Sequence, residues 1–135
     1  MKKYEILEHK ADLKIRAFGK SKEELFLNML LGMTECLKPE FKEDKEVTHK
    51  IEIKSLDFPS LLVDFLSEAL YLTQVKKIAY FKAKFKKFSD KEIQGELIGR
   101  KIERFGEDIK AVTYHDLETQ QRKDGTWQAT VLFDV

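Results

Sequence analysis

The last twenty-six residues, Lys110 to Val135 (KAVTYHDLETQQRKDGTWQATVLFDV), restrict the fold more than any other stretch of the chain. Two strand-like runs, Ala111 to Arg122 and Thr126 to Asp134, flank Lys123-Asp124-Gly125. A turn signal between two such runs predicts an antiparallel hairpin. The second run carries Trp, Val, Leu and Phe and is expected to be held in a sheet rather than to fray. Asp134 and the free carboxylate of Val135 would then be fixed in space, and two negative groups would share one small volume.

A chain of 135 residues is expected to form one domain, residues 1–135, burying roughly two thirds of the surface that its unfolded form exposes. Charged residues make up 36% of it, but 25 basic and 24 acidic side chains leave a formal charge of +1. That balance argues against a protein whose task is to coat DNA or RNA electrostatically. The start, MKKYEILEHK, is basic but has no apolar segment behind it, and no uncharged run approaches the about 18 residues that a membrane helix needs. The expectation is a soluble, cytoplasmic protein with no membrane partner. Cys36, the single cysteine, sits in an apolar-periodic segment without a disulfide or zinc partner, as a core thiol does.

Taken in order, Lys3 to Leu7 and Leu13 to Gly19 alternate as strands, with the polar connection Glu8-His9-Lys10-Ala11-Asp12 between them. Ser21 and Glu24 form a capping box, and Leu25, Met29, Met33 and Leu37 mark one face of the helix behind it, which Pro39 closes. Lys38 to Lys45 has no periodicity and is expected to be a solvated loop. Val47 to Leu56 alternates as a half-buried strand. Asp57 can cap a second helix, near Phe58 to Gln74, with Pro59 in its first turn and a broad stripe of Leu61, Leu62, Phe65, Leu66, Ala69, Leu70 and Leu72. On another face Asp64 and Glu68 stand at i, i+4 spacing as solvated carboxylates.

Lys82, Lys84 and Lys86 alternate with Phe81, Ala83 and Phe85, so the three lysines share one strand face. Closing a hairpin through Phe88-Ser89-Asp90 sets Lys86 opposite Glu92, Lys84 opposite Gln94 and Lys82 opposite Glu96, and a one-residue slip would place lysines against Ile93 and Leu97. Cross-strand charge pairing on a solvated face therefore explains the stripe better than contact with RNA. Gly95 and Gly99 weaken the second strand and point to a bend or bulge there, and Glu103 to Asp108 is expected to be a connection. Strand, helix, strand, helix and then four strands predict an α+β fold, a mostly antiparallel mixed sheet with two helices packed on it.

No Gly-rich loop followed by Lys and Ser or Thr is present to cradle a triphosphate, and no nucleophile elbow occurs. What remains is polar residues at strand ends: His9, Asp12, Lys110, His115, Asp134 and Val135. Should Asp12, Asp134 and the terminal carboxylate meet, each like-charged pair at about 4 Å repels by roughly 4 kcal/mol at an effective dielectric near 20. Something positive must sit there: a hard divalent cation, or His9, His115 or Lys110. Oxygen donors suit calcium or magnesium better than zinc. Each histidine alone is more ordinarily a hydrogen-bonded structural residue.

Several of these segments together resemble the archease family. They are Glu8-His9-Lys10-Ala11-Asp12 with Ile15-Arg16-Ala17-Phe18-Gly19, the helix start Glu23-Glu24-Leu25-Phe26, and Leu61-Leu62-Val63-Asp64-Phe65-Leu66 with Leu70-Tyr71. Lys110-Ala111-Val112-Thr113-Tyr114-His115 and the ending Phe133-Asp134-Val135 complete the set. The resemblance runs in order along essentially the whole chain. It implies a small protein cofactor, not an enzyme, that promotes guanylylation and turnover of the GTP-dependent tRNA-splicing RNA ligase and meets RNA only through that partner. It also implies a metal site of Asp12, Asp134 and Val135, with calcium as the expected ion and magnesium or manganese as alternatives. Lys110, with His9 and His115, is carried as a candidate for contacting the partner or orienting the ligands. Lys10 departs from the Thr usual in the family, and Val135 from Ile, which matters little if backbone oxygens are the ligands. Two other readings stay open: a small metal-dependent phosphohydrolase using His9 or His115 as base, and an RNA-binding or chaperone-like module using the lysine stripe.

Overall fold

A computed structural model describes residues 1–9 and 11–135, and for Glu8 and His9 the backbone alone. The expectation attached to Lys10 lies outside the described residues. Along the chain run β1 (Tyr4–His9), β2 (Asp12–Gly19), α1 (Lys22–Cys36), β3 (Pro39–Lys54) and α2 (Phe58–Lys76). They are followed by β4 (Ile78–Phe88), β5 (Glu92–Phe105), β6 (Ala111–Val112), β7 (Glu118–Gln121) and β8 (Trp127–Asp134). The fold is α+β, with the strands in two sheets. One has the order β1-β2-β8, with β6 and β7 sharing the far edge of β8; the other is β3-β5-β4. All pairings among the described residues are antiparallel.

Ser21 caps α1 by accepting from the Glu24 N–H, while the Glu24 carboxylate reaches back to the Lys20 N–H. Two donors orphaned at the helix start are thereby satisfied. The helix lies between the sheets, against β2 on one side and β4 on the other, so Phe26, Leu30 and Cys36 are buried as well as Leu25, Met29 and Met33. Two buried polar side chains tie it to both sheets: Asn28 donates to the Phe18 carbonyl at 2.7 Å and Thr34 to the Tyr80 carbonyl at 2.6 Å. Such groups are tolerable in a core because each has its partner.

Asp57 caps α2 through the Ser60 N–H at 2.8 Å, and the helix ends at Lys77 in the left-handed region, φ 57°. Every residue of its expected apolar stripe is buried. Phe26 is the aromatic hub between the helices and β4, with ring centroids 5.5, 5.5 and 5.0 Å from those of Phe58, Phe65 and Phe88. Lys22 closes the rim, its ammonium 4.8 Å from the Phe58 ring and 4.9 Å from the Trp127 ring and bonded to Asp90.

Three expectations need correction. Residues 38–45 are not simply a loop: β3 starts at Pro39, pairs through Phe41, bulges, and resumes pairing at Glu46. Arg104 pairs with Glu40, and the Arg100 guanidinium lies 3.8 Å from the Phe41 ring centroid, which holds this aperiodic segment against β5. By the same pairing, β5 continues to Phe105, so only residues 106–108 of the expected connection at 103–108 lie outside a strand. The run Ala111 to Arg122 is two short strands, separated by a turn in which Asp116 has φ 52°.

The β4/β5 register also differs from the simple hairpin. Lys87 stands opposite Gln94, Lys84 opposite Glu96 and Lys82 opposite Ile98, with irregularities between Tyr80 and Lys82 and between Phe85 and Lys87. The glycines explain where the ladder compresses. A Cβ on Gly95 would fall 2.1 Å from the Lys84 carbonyl oxygen, and one on Gly99 2.2 Å from that of Ala79. The charge pairing that results joins Lys82 to Glu46 at 3.2 Å and Lys87 to Glu92 at 2.7 Å.

Candidate metal-binding corner

The corner is made where β2 begins and β8 ends. Leu13 and Phe133 are register partners and both are buried, as are Ile15 with Val131 and Ala17 with Ala129. Side chains alternate along a strand, so the next pair outward, Asp12 opposite Asp134, must face away from the core. Both aspartates are exposed. Directly opposed residues on one face bring their Cβ atoms to roughly 4.5–5.5 Å. The sequence places these two 122 positions apart, and the sheet makes them neighbours.

β8 is clamped on both sides at this point. Ala111 of β6 pairs with Asp134, the Lys110 N–H donates to the Asp134 carbonyl at 2.7 Å, and the Val135 side chain packs against the hydrophobic core. The last peptide is therefore held by its neighbours, with Val135 following directly on Asp134. Two like charges opposed across a ladder are unfavourable on their own, although solvent screens exposed groups strongly.

Among the described residues, no three His, Cys, Asp or Glu side chains gather to hold a metal ion. Among the described residues, a third donor beside the two aspartates would be a backbone oxygen, such as those of Val135. The set is then entirely oxygen, with two formal negative charges from the side chains. It fits a hard divalent cation such as calcium, magnesium or manganese and suits zinc poorly.

The remaining candidates are distributed unevenly. The His9 backbone pairs with Leu13, one position from Asp12, and its side chain lies outside the described residues. Lys110 reaches the corner through its backbone. His115 does not join it: the residue follows β6, its ring nitrogen meets Asp116 at 3.4 Å, and its N–H donates to Thr113 Oγ1 at 3.3 Å.

Beside the corner lies a network without a sequence signature. Thr113 bonds the Leu132 carbonyl through both its N–H and its hydroxyl, which aims the next residue, Tyr114, at α2. The Tyr114 hydroxyl donates to Asp64, which also accepts from Ser55 Oγ. The hydrogen bond to Asp64, with burial and the charges of Asp64 and Asp57, pushes the Tyr114 phenol up to about 12. Asp64 is half-buried rather than a freely solvated helix carboxylate.

Comparisons with known proteins agree with this architecture. The model of the Archease protein family (MTH1598/TM1083) matches residues 4–135. The chain is 37% identical to protein archease of Methanosarcina barkeri, covering 99% of this chain and 97% of that one. With protein archease of Pyrococcus furiosus the identity is 34%, covering both chains completely. Protein 1598 of Methanobacterium thermoautotrophicum, solved in solution, superposes with a TM-score of 0.70 at 27% identity over all of both chains. A crystal structure from Thermotoga maritima, described as an archease and possible chaperone, gives 0.67 at 25% identity over 96% of this chain and 94% of that one. With its fold, its family match from the first strand to the last residue and its full-length relatives in agreement, the chain belongs to the archease family.

Proposed function

We propose that this chain is a protein cofactor of the GTP-dependent tRNA-splicing RNA ligase, promoting guanylylation of the ligase and its repeated turnover, and that the Asp12/Asp134/Val135 corner is its working part. The observation that supports this reading is the direct register of Asp12 with Asp134 beside the anchored Val135. Side-chain oxygens of the two aspartates and backbone oxygen of Val135 would hold a divalent cation, calcium foremost, which would supply positive charge near the partner's nucleotide phosphates. Lys110, whose backbone N–H is bonded to the Asp134 carbonyl, would meet the partner from the same corner. The chain has no phosphate-cradling motif of its own, so the phosphoryl chemistry belongs to the ligase.

The test is ligase turnover with limiting ligase and excess RNA ends. Asp12→Ala and Asp134→Ala proteins, shown to be folded, are expected to lose stimulation tenfold or more. Stimulation equal to that of the unaltered protein would remove the corner from the mechanism.

A further inference from the structure

A pocket of about 530 Å³ opens at the head of α2, lined by Lys54, Ser55, Leu56, Ser60, Asp64 and Tyr114. At its base Asp64 is held by two hydroxyl donors, Ser55 and Tyr114. Both donors are uncharged, so they orient the carboxylate without neutralising it. Lys54, the base on the rim, is turned to Glu52 and Glu92 at 3.9 Å each. Among the described residues no cation lies within 4 Å of Asp64.

The rim is apolar. Leu56 is 87% exposed and Tyr114 57%. Asp64, Glu68, Tyr71 and Val75 follow at i, i+4, i+7 and i+11 and so share one face of α2, where Tyr71 is 58% and Val75 60% exposed. Four of the eight large exposed apolar side chains among the described residues thus belong to this pocket and helix face. Exposed apolar side chains flanking a carboxylate that has no cation beside it complement a protein surface that presents a cationic side chain among apolar neighbours. A guanidinium would donate charge-assisted hydrogen bonds to Asp64 while stacking on the Tyr114 ring. Tyr114 is three residues from Ala111, the partner of Asp134, or roughly 10 Å of extended chain, so one partner can cover both the pocket and the corner.

We infer that the outer face of α2 and the pocket at its head are a docking surface for a partner protein, which inserts an arginine side chain beside Asp64. The identity of that partner as the ligase rests on the function proposed above; the chemistry of the pocket does not.

Two measurements separate these. In the first, the intact isotope-labelled protein is titrated with acetyl-arginine-methylamide and with its neutral isostere acetyl-citrulline-methylamide. Saturable NMR shifts at Ser55, Leu56 and Tyr114 are expected with the arginine compound alone, and are expected to vanish in Asp64→Asn, which keeps the side-chain shape and an acceptor oxygen for one hydroxyl while its amide can donate to the other. No response, or equal responses to both compounds, overturns the assignment of the pocket. In the second, ligase affinity is measured by calorimetry: Asp64→Asn and Tyr71→Ala/Val75→Ala are expected to weaken it tenfold or more while leaving the calcium-induced rise in Tm unchanged. Unchanged affinity overturns the docking surface. Failure of the unaltered protein to bind the ligase overturns the functional reading instead, and the arginine titration then decides the pocket. Sedimentation showing a dimer that Asp64→Asn dissociates would give the surface to a second copy of this chain and overturn the proposal.

Discussion

Asp12, the first residue of β2, stands directly opposite Asp134, the last residue of β8, with both side chains on the outward face of the sheet. Without a metal this pair is a source of repulsion; under the function proposed above, a divalent cation would turn it into a ligand set. Asp12→Asn and Asp134→Asn should therefore each raise Tm in chelator and abolish the further rise that calcium produces in the unaltered protein. A ligand at 100 times its Kd stabilises the folded state by about 2.7 kcal/mol, a shift that scanning calorimetry resolves. Substitutions that lower Tm in chelator and leave the calcium response intact would show that the pair is structural.

Tyr114 predicts an alkaline signature. Its phenol stands at about 12, foremost because it donates to Asp64, against an ordinary value of 10.0. Tyr4 also stands at about 12, chiefly through burial, and burial raises Tyr80 as well. A folded-state value above the unfolded one means that the folded protein holds the proton more tightly. The stabilising contribution is complete below pH 10 and disappears as pH climbs towards 12. Replacing Tyr114 by Phe should remove one late-titrating phenolate from the ultraviolet absorbance titration and flatten the loss of stability between pH 10 and 12. Loss of a phenolate that titrates near the ordinary 10.0 instead would place Tyr114 in solvent.

Gly99 and Gly95 lie where β5 passes closest to β4. An added Cβ would meet the Ala79 or the Lys84 carbonyl oxygen, both backbone atoms that no rotamer change can move. Gly99→Ala and Gly95→Ala should each destabilise the protein by roughly 1–3 kcal/mol through overpacking, seen as a lower midpoint in denaturant with an unchanged slope. A neutral effect at both positions would mean that the two bulges are not held in this register.

Phe26 contacts three aromatic rings from α2 and β4 and is fully buried. Phe26→Ala should remove about 3–5 kcal/mol, a large share of the roughly 5–15 kcal/mol that holds a typical domain together. Equilibrium unfolding would show it directly. A loss below about 1 kcal/mol would indicate that the cluster closes over the gap and is loosely packed.

Local pattern was enough for the helices, because their signals are short-range: Ser21 and Asp57 at the starts, apolar spacing within, Pro39 beyond the first helix. It was enough, too, for Asp12 and Asp134 to be singled out as strand-end carboxylates and for the hairpin at Gly125. The length of β3, the split between β6 and β7, and the bulged β4/β5 register were not legible in this way. They depend on contacts with partners far along the chain: Arg100 on Phe41, Thr113 on Leu132, and carbonyl oxygens pressed against Gly95 and Gly99. The division into two sheets was hidden for the same reason. A helix pattern records that residues such as Phe26 and Cys36 are apolar, and not that a second sheet covers them.

By itself the sequence determined which residues are apolar and at what period, where helices begin, and that carboxylates stand at two strand ends. Only the tertiary structure decided that Asp12 and Asp134 face each other beside Val135, and that Tyr114 reaches Asp64. Cross-strand register is set by the simultaneous burial of pairs such as Leu13 with Phe133 and Ile15 with Val131. It is a property of two segments jointly, and neither carries it alone.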